Sequence, residues 1–222
     1  SCDELLAWKR ETQAALDNFS EKLDTLTKRV CEMTIAIDEA TAYSYQYNIK
    51  IVGVPEKASK ESAADTTDIC LKMFNKLGVS VKEEDIDIAH RVPTRNKDRQ
   101  KQPNNPPIVC KFVRRVVRNR VLDARYNLEC LEAYDLGLPE ELLLNRIGIF
   151  PHLPPKLQTL LRQAKKFQAD SDFKYCWAKS AAIFLRKTDQ SRVHKLVSTE
   201  DLEKLRLAET CSAQSISSTT RS

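Results

Sequence analysis

The sequence predicts an α+β protein: a long N-terminal coiled-coil helix, then a βαββαβ sandwich, then a small α/β C-terminal domain with a strand hairpin. Three observations predict it. Neither Gly nor Pro occurs before Gly53. Short β-branched runs alternate with helical-period segments between 48 and 150, and 173–187 alternates residue by residue around a short turn. The divisions that follow are a coiled coil at 1–47, the sandwich at 48–130, a connector at 131–147, a basic C-terminal domain at 148–210 and an unstructured tail at 211–222.

The first segment carries a seam. Position a falls on Cys2, Lys9, Leu16, Leu23, Val30 and Ile37, and position d on Leu5, Thr12, Phe19, Leu26, Met33 and Ala40. Only Lys9 and Thr12 are markedly polar, so the 3.5-residue repeat argues for a coiled coil over a lone amphipathic helix. Forty residues at about 1.5 Å each make a rod of roughly 60 Å, too narrow to bury its own seam. Leu16, Phe19, Leu23, Leu26, Val30, Met33 and Ile37 are the expected oligomerisation residues. The bland alternative is a core helix folded onto the downstream domains. The mixed a and d residues do not choose between dimer and trimer.

The middle reads strand (48–54), helix (65–77, capped by Asp65, Thr66 or Thr67 and stopped by Gly78), strand (86–92), strand (108–113) and helix (115–128). A fourth strand is expected within 142–150. This order is similar to the skeleton of RNA-recognition-motif (RRM) domains. The aromatic signatures of that motif are missing: the third strand has only Phe112, which reads as a core residue.

Pro151 to Pro155 then leads into a helix over 156–169. Phe173 to Lys179 and Ile183 to Lys187 form a hairpin about Ser180-Ala181, with aromatics on one face and lysines largely on the other. Those aromatics read as core or, alternatively, as a stacking platform for single-stranded nucleic acid. Ser198 or Thr199, with Asp201, caps a last helix running through Leu207.

The 222 residues carry a formal net charge of +5, and that mean hides a segregation. Residues 1–47 sum to −4 and 131–155 to −3, whereas 89–130 reach +8 and 156–195 reach +7. Two basic blocks between acidic stretches point to an anionic partner. The first block holds Arg91, Arg95, Lys97, Arg99, Lys101, Lys111, Arg114, Arg115, Arg118 and Arg125. The second holds Arg162, Lys165, Lys166, Lys174 and Arg186. A basic, Pro-bounded loop can follow a phosphate backbone without fixed geometry. The bland alternative is a solubilising loop and a solvated helix face.

Composition removes other classes. With four glycines, Gly53, Gly78, Gly137 and Gly148, neither a dinucleotide loop nor a phosphate-cradling loop can be assembled. Seven cysteines and three histidines lie too far apart for zinc-ligand spacing, and the cysteines read as buried thiols of a reducing compartment. No metal, cofactor or catalytic constellation is expected, nor a bilayer span or signal peptide. The chain starts at Ser1 with its first methionine at Met33, as a fragment or processed product would.

Several phrases together resemble the first-open-reading-frame protein of LINE-type non-LTR retrotransposons, of the invertebrate type related to the baculovirus FP protein. They are Asn48 to Pro55 (NIKIVGVP), Ile88 to Val92 (IAHRV), Pro107 to Arg114 (PIVCKFVR), Val121 to Arg125 (VLDAR), Leu160 to Phe167 (LLRQAKKF), Phe173 to Lys179, Ile183 to Lys187 and Ser198 to Leu205. The resemblance implies a non-enzymatic homo-oligomer, a trimer more than a dimer, with an RRM-like and a basic C-terminal domain per subunit. It implies sequence-tolerant binding of single-stranded RNA and DNA, with a packaging and chaperone role in ribonucleoprotein of the cytoplasm or nucleus. Arg91 and Arg95 match the family's basic strand-to-loop positions, Arg125 the arginine ending the second RRM helix, and Arg162 a basic site on the C-terminal helix. The family's Ile-Asn-Glu-His-Leu-Thr-Pro is here Ile149-Phe150-Pro151-His152-Leu153-Pro154-Pro155. That departure keeps a degenerate or domesticated element copy in view as one alternative; the other is an FP-like structural or trafficking protein in which the same scaffold acts through protein contacts.

Overall fold

The structure is a computed structural model that describes residues 2–57, 61–92, 105–140, 144, 147–179 and 182–219. It mixes helices with antiparallel sheets behind a long N-terminal helix, and divides into two compact units, 1–43 and 44–222.

Helix α1 spans Cys2–Tyr45 and buries none of its residues. Its threonines bond back along the helix, Thr12 to the Trp8 carbonyl and Thr34 to that of Val30, both at 2.8 Å. The seam residues Leu16, Phe19, Leu23, Leu26, Val30, Met33 and Ile37 are all at least 47% exposed.

The second unit begins with strand β1 (Asn48–Val52), followed by α2 (Ala63–Lys76), β2 (Ile86–Arg91), β3 (Ile108–Phe112), α3 (Arg115–Asp123) and β4 (Gly148–Pro151). The sheet order is β2-β3-β1-β4, with each neighbouring pair antiparallel. Period-2 burial follows from the pleat. Ile49, Ile51, Ile108, Cys110, Phe112 and Ile149 are fully buried against Ile69, Cys70, Met73 and Phe74 of α2 and Val117 and Val121 of α3. Phe112 is thus core, its ring 5.6 Å from that of Phe74.

Helix α2 starts earlier than expected. Ser62, not Asp65, Thr66 or Thr67, is the N-cap: its hydroxyl accepts from the Asp65 N–H while the Asp65 carboxylate accepts from the Ser62 N–H. This reciprocal box satisfies two otherwise orphaned donors. Gly78 stops the helix as expected. Its φ of +86° is open to glycine at no steric cost, and it lets the Val79 N–H return to the Phe74 carbonyl at 3.0 Å.

Three boundaries shift. The expected connector is part of the first core, since Leu131, Ala133, Leu136 and Leu138 are buried in it and Lys76 holds Asp135 at 2.8 Å. Strand β4 pairs with β1, Ile51 opposite Ile149, so Gly148–Pro151 belongs to the first sheet rather than the C-terminal domain. The expected second helix ends at Asp123 and tightens into a 3-10 turn over Ala124–Cys130.

The C-terminal lobe comprises α4 (Pro155–Asp170), β5 (Tyr175–Lys179), β6 (Ala182–Arg186), β7 (Val193–Leu196) and α5 (Thr199–Thr219). Pro155 sits at the first helical turn, where its missing N–H costs nothing. Leu157, Leu160, Ala164 and Phe167 of α4 close on Ile183, Leu185, Leu196 and Leu202. Strand β7 makes the expected hairpin a three-stranded sheet, and the expected turn at Ser180-Ala181 lies outside the described residues. Helix α5 runs to Thr219, past the start of the expected unstructured tail. Among the cysteines, Cys70 and Cys110 are buried as expected and Cys176 half-buried, but Cys2, Cys31 and Cys130 are exposed.

One polar group joins three chain segments of the first lobe. The Arg91 guanidinium donates from Nε to Glu61 Oε1 (2.9 Å), from Nη1 to the Val54 and Pro106 carbonyls (2.6 and 3.0 Å), and from Nη2 to the Pro55 carbonyl and Glu61 Oε2 (2.8 and 3.0 Å). Every N–H of an arginine is thereby matched. The pair is buried, with 9% and 1% of the two side chains exposed. Burial pushes the Glu61 carboxyl up, but the Arg91 bond, the Lys57 N–H and the Thr66 hydroxyl outweigh it and the net shift is downward.

Arg91→Ala strands a buried carboxylate, so it is expected to cost about 3 kcal/mol or more of stability. A urea midpoint by circular dichroism indistinguishable from the parent would refute this. Because the Glu61 pKa is depressed on folding, its contribution is complete above about pH 5 and falls away as pH drops below about 4. Glu61→Gln should flatten that limb of the stability profile.

Candidate nucleic-acid interface

Among the described residues, most basic side chains of the first lobe are already engaged. Arg91 is wholly committed to the acceptors just described, so its guanidinium has no free N–H for a phosphate. Among the residues expected to contact nucleic acid, Arg91 is placed inside the lobe as a tie between chain segments. Arg95, Lys97, Arg99 and Lys101 lie outside the described residues. Lys111 pairs with Asp87 at 2.6 Å. Arg114 is exposed but bound to the buried Asp85, its Nε 3.0 Å from Oδ1. That bond, opposed by burial and aided by the Lys82 N–H, holds the Asp85 carboxyl below its ordinary range.

Arg115 donates to Gln46 Oε1 at 2.6 Å. Arg118 is half-buried, reaching the Asn48 carbonyl at 3.4 Å and Asn119 Oδ1 at 3.1 Å; burial, with the neighbouring Arg115, lowers its pKa. Arg125 donates to the Leu122 carbonyl and the Tyr126 hydroxyl, both at 3.0 Å, and lies 4.9 Å over the Tyr126 ring. A cation lying on an aromatic face and bonded to a backbone oxygen is stabilising locally.

The C-terminal lobe differs. Arg162, Lys165 and Lys166 are exposed on α4 and make no ion pair among the described residues. Spaced i, i+3 and i+4, they share one helix face, and the helix carries no acidic residue before Asp170. Lys174 and Arg186 are brought together instead around Tyr175 and Asp189. Lys174 pairs with the Asp189 carboxylate, Tyr175 donates its hydroxyl to it, and the two cations lie 5.1 and 5.5 Å from the Tyr175 ring.

The faces of the C-terminal sheet also depart from expectation. Cys176 and Ala178 pack on the lobe's core with Ile183 and Leu185. The pleat therefore puts Tyr175, Trp177 and Lys179 on the opposite face, so the strand lysine lies with the aromatics, not across from them. Opposite Trp177 stands Phe184, and opposite Phe184 stands Lys195. Sequence reasoning missed Lys179 and Lys195 as candidates; the odd-numbered alternation of Tyr175, Trp177 and Lys179 was the available signal.

The open face of the first sheet carries Asn48, Lys50, Lys111 and the exposed Phe150, with Lys50 opposite both Val109 and Phe150. His152 Nδ1 and Asn48 Oδ1 are buried without a hydrogen-bond partner among the described residues. Burial lowers the His152 pKa, with Lys50 and His90 adding to the effect. Among the described residues, no group of three or more His, Cys, Asp or Glu side chains is placed to hold a metal, and no helix is long and apolar enough to cross a membrane.

Comparison with the curated proteins finds no match. Residues 154–206, which comprise α4, the three-stranded sheet and the first turns of α5, match the family model of the baculovirus FP protein domain 2.

Proposed function

We propose that the chain is a self-associating protein that binds single-stranded RNA or DNA with little sequence preference and packages it, in the manner of a retrotransposon ribonucleoprotein of the cytoplasm or nucleus. The observation that carries this reading is the cationic face of Arg162, Lys165 and Lys166 on α4, which has no carboxylate partner among the described residues. Exposed cations free of carboxylates release counterions from a phosphate backbone without reading bases.

Two further features support it. The βαββαβ order with sheet order β2-β3-β1-β4 agrees with an RRM-like first lobe. The exposed a/d seam of α1 suits a homo-oligomeric coiled coil, a trimer by the resemblance, in which several weak basic surfaces engage one strand. The match over 154–206 agrees with the FP-related type of such elements.

In sedimentation, the full chain is expected to run as an oligomer and the 44–222 chain as a monomer. The cut keeps Tyr45 and Gln46, which belong to the second unit and contact His152 and Arg115 within it. Identical monomers would remove the seam from the account. Single-strand affinity of the full chain should fall linearly with salt on a log-log plot, and R162A/K165A/K166A should flatten that slope by about 2, near 0.7 for each phosphate that is no longer neutralised. Salt-independent binding, or no binding with protein partners retained after nuclease treatment, would instead favour the FP-like protein-contact role.

A further inference from the structure

Two large aromatic side chains stand on the face of the C-terminal sheet that the core does not use. Trp177 and Phe184 are direct cross-strand partners, and their rings stack 5.5 Å apart at an interplanar angle of 16°. That is an offset, nearly parallel pair. Both residues are half-buried, and neither belongs to the C-terminal core. A stacked ring keeps its second face for another flat group.

The surroundings specify what kind of flat group. None of the three strands contains Asp or Glu. Lys179 at the end of β5 and Lys195 on β7 are exposed and make no ion pair among the described residues. The neighbouring carboxylate, Asp189, is taken up by Lys174 and Tyr175. An aromatic pair flanked by uncompensated ammonium groups complements a chain of alternating flat bases and phosphates, and repels the cationic counterpart that an acidic platform would attract.

We propose that the open face of β5-β6-β7 is a base-stacking site for unpaired nucleotides, with Trp177 and Phe184 as the platform and Lys179 and Lys195 as its phosphate contacts. It deepens the nucleic-acid reading above and rests on it. The site discriminates strandedness rather than sequence. Every base offers a π-face, but in a duplex those faces are covered by neighbouring base pairs.

The chain contains two tryptophans, Trp8 and Trp177, and that makes the site directly observable. In the full chain carrying Trp8→Phe, Trp177 is the sole tryptophan. Adding oligodeoxythymidine should quench its emission with the same midpoint as binding measured by anisotropy, whereas the matched duplex should leave the emission near its starting level. Trp177→Leu keeps an apolar strand residue and should weaken single-strand binding about tenfold with the salt slope unchanged. Binding without quenching in the Trp8→Phe chain overturns the stacking site and leaves the nucleic-acid reading standing. Absence of single-strand binding by the full chain overturns both. If Trp177→Leu melts early, the quenching experiment alone decides.

Discussion

The first lobe is organised around a single buried guanidinium. Arg91 ends β2, yet its five N–H groups are met by acceptors from three other places: the exit of β1 at Val54 and Pro55, the approach to α2 at Glu61, and the approach to β3 at Pro106. These acceptors are part-buried backbone carbonyls and a carboxylate whose side chain is only 1% exposed, and each would be costly to leave unmatched. Lysine, a point charge with three donors on a flexible stem, cannot reproduce the planar fork. The β1 exit, the α2 cap and the β2-β3 neck are therefore fixed together.

That commitment divides the molecule's charge into two kinds. Among the described residues of the first lobe the cations are largely internal ties: Arg91 with Glu61, Arg114 with Asp85, Lys111 with Asp87, Lys76 with Asp135. Each tethers an element to its neighbour. Arg162, Lys165 and Lys166 on α4, and Lys179 and Lys195 on the outer sheet face, have no such partner among the described residues. The two basic blocks have nearly equal net charge, but among the described residues the first block's cations are mostly tied within the lobe, whereas the second presents Arg162, Lys165 and Lys166 outward on α4.

The elements whose signal is local were legible in the sequence. Strand and helix periods placed β1, β2, β3, α2, α4, β5 and β6 within a few residues, because burial on one face writes itself into the alternation. The Gly78 stop was readable because a positive φ all but demands glycine. What was hidden depends on partners distant in sequence. Arg91 and Glu61 are thirty positions apart, and nothing in a basic string distinguishes a buried tie from a phosphate contact. The Ser62 cap was missed because Asp65 was read, beside Thr66 and Thr67, as a candidate cap rather than as the reciprocal partner of one. Strand β7, four residues long, offers too short an alternation to stand out, and the faces of β5 were settled by Cys176 and Ala178, whose small side chains carry little hydropathy signal.

The pinned neck between β2 and β3 has an evolutionary consequence. Beyond Arg91, the Val92 N–H reaches the Pro107 carbonyl at 2.9 Å, so the chain leaves and rejoins the sheet at one clamped point. A change at Arg91 leaves the Glu61 carboxylate unmatched inside the lobe, and a change at Glu61 leaves the guanidinium short of two acceptors. Two positions thirty residues apart are therefore under joint selection: substitutions at one are tolerated only with a compensating substitution at the other.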